Sequence, residues 1–375
     1  MRAEAADLTA RLVAIDSVNP ELVVGGAGER EIAAFVAGWA REAGLEVTEL
    51  AGTPERPSVL ARAPGAGGGR TLLLCGHLDT VGVEGMSHAP HDPRIDGDRL
   101  YGRGAYDMKA GLAAALLACR DAAGRGLAGD VVVAAVADEE HASIGVREAL
   151  AVVEADAAVV TEPTELGVVV AHKGFAWSEV EVTGRAAHGS RPHLGIDAIA
   201  KAGPVLTAIG DLDRALGAGE HPLLGRGSVH ASLIRGGAEM SSYPESCVVG
   251  LERRTLPGET ATGVERELGE LLDRCRAADP ELVVEQRPGL VREPFEVDPG
   301  ADVARAVLDA AGTRSAGTGG ASFWADSAFI AAAGIPTVLF GPGGQGAHAA
   351  EEWVSLDDAA FVATALVDVA EALCS

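Results

Sequence analysis

The chain predicts an α/β fold, a mixed sheet sandwiched by helices, with a separate α+β domain inserted into it. Residues 1–172 alternate short apolar runs with helical patterns. Those runs are continuously apolar, the pattern of strands buried on both faces of a sheet. Further along, the runs alternate apolar with polar residues, as half-exposed strands do. At 375 residues the chain is too long for one ordinary core, so two domains are expected.

The elements follow in order. Leu8, Leu12 and Ile15 recur at i, i+4 and i+7, an amphipathic helix rather than a leader peptide. Residues 28–43 read as a second amphipathic helix and 45–50 as a strand. Strands at 58–62 and 71–76 are split by a turn rich in glycine, residues 64–69. A helix spans about 109–122, followed by a buried strand at 131–136, a helix at 144–153 and a strand at 157–160. The style then changes. Residues 175–183 alternate, 196–216 read as helical despite Pro204, 228–235 and 246–253 are strands, 259–277 a helix and 282–285 a last strand. That is β-α-β-β-α-β, the ferredoxin-like order, which closes as its own domain. Helices at 301–311, 324–333 and 357–373 and a strand at 335–340 return to the first style. The expected domains are therefore 1–173 and 287–375 together, with 174–286 inserted.

Composition narrows the function. Thirty Lys and Arg against 55 Asp and Glu leave a formal charge of −25. A polyanion repels phosphate backbones and anionic lipid surfaces, so neither nucleic acid nor membrane is an expected partner. No uncharged apolar run reaches the roughly 20 residues of a membrane span. The five cysteines, Cys75, Cys119, Cys247, Cys275 and Cys374, are scattered and odd in number, the pattern of buried thiols in a reducing compartment. A cytoplasmic location is expected.

The chemistry clusters behind strands. His77-Leu-Asp79 closes the strand 71–76, and in extended backbone residues i and i+2 point the same way. An Asp beside a metal-bound His fixes its tautomer, although the pair alone also fits a capping turn. Asp107, in Gly102-Arg-Gly-Ala-Tyr-Asp-Met-Lys109, precedes a helix; it fits a helix cap as well as a carboxylate bridging two metals. Asp138-Glu139-Glu140 follows the strand 131–136, where one carboxylate can bind metal while its neighbour remains a base, or where the run is simply a polar loop. Glu162 follows the strand 157–160 and His348 follows 335–340. Acids and histidines at the ends of separate strands can converge on one sheet edge, where open α/β sheets bind ligands. Gly341-Pro-Gly-Gly-Gln-Gly346 matches a dinucleotide fingerprint in form, but no helix follows it directly and it lies late in the chain. It is better read as a loop presenting His348.

In order and spacing, His77-x-Asp79, Gly102-Arg-Gly-Ala-x-Asp107-Met-Lys, Glu139-Glu140, Glu162-Pro163 and Ala347-His348 resemble the dizinc deacylases and carboxypeptidases. That family includes acetylornithine deacetylase, succinyl-diaminopimelate desuccinylase, aminoacylase and glutamate carboxypeptidase. The resemblance spans nearly the whole chain and implies a zinc-peptidase-like catalytic domain with a ferredoxin-like lid. It implies two Zn²⁺ per subunit, with Co²⁺ a possible substitute. Asp107 would bridge them, His77 and Glu162 would complete one site, and Glu140 and His348 the other. Asp79 would orient His77, and Glu139 would be the general base. His188, in Gly184-Arg-Ala-Ala-His188-Gly-Ser-Arg-Pro192, would stabilise the oxyanion, in some members by reaching across a dimer. Arg254 would bind the substrate carboxylate. Ser241 stands where the family often has Asn, and Ala110 where Gly is usual. The implied activity is hydrolysis of a linear amide in a small N-acyl amino acid, acetylornithine deacetylase-like, by water activated at the metal pair. The alternatives are a dipeptidase or carboxypeptidase of the same family, or a silent binding module; retention of Glu139 argues against the last. A homodimer through the lid is a further implication.

Overall fold

The computed structural model describes residues 1–53 and 55–375. The chain divides into two compact units: Met1–Val170 with Val297–Gly319 and Ala325–Ser375, and Ala171–Glu296 with Gly320–Trp324.

The first unit is built on a mixed sheet. In spatial order its strands are Glu46–Leu50, Ser58–Ala63, Val131–Val136, Leu72–His77, Ala157–Val160, Thr337–Leu339 and residues 168–170. The middle four, from Val131–Val136 to Thr337–Leu339, are mutually parallel, and their neighbours on either side run antiparallel. Val-Val-Val-Ala-Ala-Val at 131–136 is β-branched, apolar and buried throughout, as a central strand covered on both faces requires. Side chains alternate between faces. Leu72, Leu74, Val131, Val133 and Val159 join one core with the helices Arg2–Val13, Arg30–Glu42, Ala110–Ala123, Asp302–Ala311 and Leu356–Cys374. The short helices Ile144–Leu150 and Ser327–Ala332 pack on the opposite face. Ala110–Ala123 is apolar nearly all round and lies under both the sheet and the C-terminal helix, so it is almost wholly buried. Gly111 lets it approach: a Cβ there would stand 1.9 Å from the Thr161 carbonyl oxygen.

The second unit is a four-stranded antiparallel sheet in the order Ser228–Gly236, Ser246–Thr255, Gly174–Thr183, Val283–Arg292. Two helices share its core, Ala198–Leu216 and Ala261–Ala278. Their first turns are capped by Asp197 onto the Ala200 amide and by Thr260 onto the Gly263 amide.

Several expectations need adjusting. The border at 286 falls inside the strand Val283–Arg292, which runs well beyond the expected 285. Pro288-Gly289 disguises its second half, and the pairing shifts register between Pro288 and Val291. Val168–His172 is a further strand with no boundary visible in the sequence, because only Lys173 separates it from Gly174–Thr183 and no turn residue marks the break. The small sheet Gly344–Gln345, Trp353–Ser355, Arg99–Tyr101 and Arg94–Asp96 was also not expected. Strands of two or three residues are too short to show a period. The helix at 324–333 shortens to Ser327–Ala332, and that at 144–153 ends at Leu150.

Candidate metal centre

Parallel strands end on the same edge. His77 is the last residue of Leu72–His77 and pairs in register with Val136; Cys75 pairs with Val160, and Val160 with Leu339. The loops after all four parallel strands therefore leave from one rim. Glu139 and Glu140 lie just beyond Val136, Glu162 just beyond Val160, and His348 in the loop after Thr337–Leu339. Asp107 comes from a short helical turn, Ala105–Lys109, whose backbone opens at Asp107 to φ −113° and ψ 94° before Ala110–Ala123 begins.

The six side chains meet. Asp107 Oδ1 lies 3.1 Å from His77 Nε2, and its other oxygen, Oδ2, 3.2 Å from His348 Nε2. His348 Nε2 is also 3.2 Å from Glu140 Oε2, and His77 Nε2 is 3.8 Å from Glu162 Oε1. Donor atoms of His77, Glu139 and Glu162 all lie within 4.8 Å of one another, as do those of His77, Asp107 and Glu140. The two oxygens of Asp107 thus face two different imidazoles, each with a further carboxylate behind it.

The electrostatics ask for cations. Burial, with Asp107 and other carboxylates nearby, pushes Glu162 up to about 8. Burial also raises Glu139 well above its ordinary value, with His77 opposing and Asp326, Glu162 and Glu140 adding to the rise. Glu140 is raised by burial and by Asp107, and its Oε1 is buried without a hydrogen-bond partner. Burial opposes the Asp107 carboxylate, yet the His348 and His77 imidazoles outweigh it and hold it below the usual range. Hydrogen bonds to Asp107 and Glu140 raise His348 to about 10. Carboxylates so deep and so close bind protons or metal ions. Imidazole and carboxylate donors in two groups that share Asp107 fit a pair of borderline divalent metals.

Asp79 differs from expectation in detail. The nearer partner of His77 Nδ1 is the Asp79 carbonyl oxygen at 2.9 Å, with carboxylate Oδ1 at 3.7 Å. The carboxylate accepts hydrogen bonds from the backbone amides of Glu139 and Glu140, at 3.1 and 3.2 Å, and from Asn19 Nδ2 at 2.8 Å. Asn19 Nδ2 also donates to Asp138, which takes a further hydrogen bond from Arg56; Arg56 is in turn paired with buried Glu29. The first acid of the 138–140 run is therefore an anchor beneath the loop. The sequence reading missed Asn19, Glu29 and Arg56. An isolated Asn or Arg carries no spacing signal, and only contact across 60 residues or more joins Asn19 to Asp79 and Asp138.

The other two expected residues belong to the second unit. His188 is exposed, with Nδ1 2.8 Å from Ser190 Oγ. Arg254 donates from Nε to Glu252 at 2.7 Å and lies over the Phe175 ring, 5.3 Å from its centroid. The fingerprint-like glycines at 341–346 open no helix; they lead through the short strand Gly344–Gln345 to His348.

Comparison with known proteins agrees over most of the chain. The sequence profile of peptidase family M20/M25/M40 matches residues 73–372. An acetylornithine deacetylase from Myxococcus xanthus is 31% identical over 317 residues, covering 81% of this chain and 80% of its own length. Among solved structures, aminopeptidase PepT from Bacillus cereus superposes with a TM-score of 0.79 at 20% identity, covering 100% of this chain and 99% of its own. A dinuclear metal-binding peptidase of the M20 family from Bacillus subtilis gives a TM-score of 0.77 at 15% identity, covering 100% and 99%.

Proposed function

This chain belongs to peptidase family M20/M25/M40, and on that premise we propose that it is a two-metal hydrolase of linear amide bonds in small N-acyl amino acids. The observation that carries the reading is the division of Asp107, one oxygen towards His77 and the other towards His348, with Glu139 beside the group. Asp107 would bridge the metals, His77 and Glu162 would hold one, and Glu140 and His348 the other. Zn²⁺ suits these donors, with Co²⁺ an alternative. Bound metals would polarise the amide carbonyl and acidify a water.

The remaining work falls to the chain's own groups. Glu139, raised by burial, is suited to take a proton from the attacking water and pass it to the departing nitrogen. The water oxygen forms the new bond to carbon, the carbon–nitrogen bond breaks, the nitrogen leaves with the proton carried by Glu139, and the water's second proton passes to the amine as the acyl fragment leaves as a carboxylate. Asp79 fixes the Glu139 amide and so sets where that carboxylate begins. His188 would donate to the oxyanion and Arg254 would receive the substrate carboxylate; both assignments rest on the family resemblance.

Acetylornithine deacetylase-like specificity is favoured by the curated relatives, which carry that name at about 30% identity. A peptidase reading is favoured by solved neighbours named as an aminopeptidase and a tripeptidase. The five free, buried cysteines support a reducing compartment. Among the described residues, no helix is long and apolar enough to cross a membrane. A screen of N-acyl amino acids against di- and tripeptides, with Zn²⁺ or Co²⁺ added, tests the function. Faster turnover of N-acetyl amino acids is expected. Preference for peptides would transfer the assignment to the peptidase reading, and no hydrolysis of either class would end both.

A further inference from the structure

Behind the candidate metal centre lies a buried ion pair, Arg103 with Glu352. Arg103 is 3% exposed and Glu352 0%, and Arg103 Nη1 donates to Glu352 Oε2 at 2.6 Å. Their remaining hydrogen bonds all go to loops that carry the candidate ligands. Glu352 Oε2 accepts from the Gly104 amide at 3.0 Å, and Oε1 accepts from the amides of Tyr106 at 2.9 Å and Asp107 at 3.0 Å. Arg103 Nη2 donates to the carbonyl of Ala349, the neighbour of His348, at 3.1 Å. Arg103 Nε donates to the carbonyl of Gly82, in the loop that follows His77 and Asp79, at 3.2 Å. The strand Trp353–Ser355, directly after Glu352, pairs with Arg99–Tyr101, just before Arg103, so the sheet brings the two partners together.

We propose that Arg103 and Glu352 form a clip that presets the loops of His77, Asp107 and His348 before any metal arrives. The proposal rests on the two-metal reading above. The pattern exceeds what packing needs. An apolar pair of the same volume could fill the space, but it could not satisfy three backbone amides of a turn whose φ and ψ depart from helix at Asp107. One of those amides belongs to Asp107 itself, so Glu352 holds the backbone from which the bridging carboxylate projects. Arg103 neutralises Glu352 and carries the same restraint to the other two loops. Both are positioning residues; neither contacts the ligand atoms.

Cobalt(II) titration of the metal-free full chain, followed by visible absorption, tests the clip. In Glu352→Gln only one oxygen remains an acceptor, so at least one set of its donors loses its partner. A merely structural role would lower the unfolding midpoint and leave cobalt affinity of the folded protein unchanged. The clip predicts affinity lower by roughly 10–100-fold, the usual cost of losing groups that orient ligands, and an altered cobalt spectrum. Unchanged affinity and spectrum in E352Q would overturn the clip while leaving the two-metal reading intact. Failure of the wild-type chain to bind cobalt would overturn that reading itself. If E352Q does not fold, R103K serves, since Glu352 then keeps its backbone donors while the ties to Gly82 and Ala349 weaken; wild-type affinity there would likewise overturn the clip. Amide exchange in the metal-free wild-type chain needs no variant. Slow exchange at Gly104, Tyr106 and Asp107 is expected, and rapid exchange would count against a preset turn.

Discussion

Asp138, Glu139 and Glu140 are consecutive acids with three different surroundings. Asp138 turns down to Asn19 and Arg56, Glu140 faces His348, and Glu139 shares a pocket with His77 and Glu162. The change of direction is visible in the backbone, where Asp138 takes a φ of 66°. The proposed role of Glu139 as the general base rests on this placement and on its raised pKa. Glu139→Gln is therefore expected to bind the same number of metal ions as the wild type while turnover falls on the order of 10²–10⁴-fold. Metal analysis beside initial rates checks both halves, and a variant turning over at the wild-type rate would remove Glu139 from that role. The run of acids was plain in the sequence. Which of them faced inward was not, because side-chain direction after a strand depends on a left-handed residue that the sequence pattern does not announce.

At the level of elements, the site follows from strand direction. Four neighbouring parallel strands deliver their following loops to one rim, and the helix Ala110–Ala123 must then cross the sheet closely to bring Asp107 to the same place. Gly111 permits that approach, against the carbonyl of Thr161, the residue before Glu162. Gly111→Ala adds a methyl group that backbone cannot accommodate without shifting. It is expected to cost about 1–3 kcal/mol, the range for overpacking a well-filled core. A lowered midpoint in denaturant unfolding is the measurement, and an unchanged one would show that the helix can lift away freely. Strands 131–136 and 157–160 were legible to the residue, being buried apolar runs bounded by polar loops. The short strands around Tyr101 and Trp353, which frame Arg103 and Glu352, were not, since two or three residues carry no periodicity.

For the molecule as a whole, the net charge of −25 and the buried carboxylate cluster point to one balance. Without metal, Glu162 at about 8 lies above its ordinary value of 4.5. A group whose folded pKa is raised contributes stability below its unfolded value and loses it as pH climbs through the folded one. The metal-free chain should thus become less stable between about pH 4.5 and 8. Metal affinity changes in the opposite sense, because protons on Glu162 and His348 compete with the cation and leave as pH rises. Chelation is therefore expected to lower the unfolding midpoint, and by more at pH 8 than at pH 6; thermal scans with and without chelator check it, and a gap that narrows with pH would contradict the linkage. The amino-acid sequence alone carried the α/β class, the ferredoxin-like order of the inserted segment and the residue types of the site, because apolar periodicity and the position of acids after strands are local properties. Folding added what locality cannot encode. It set Asp107 between two imidazoles, turned the Asp79 carboxylate towards the 139–140 amides, and joined Arg103 to Glu352 across 249 residues. Those contacts exist only once sheet order has brought distant loops to one rim.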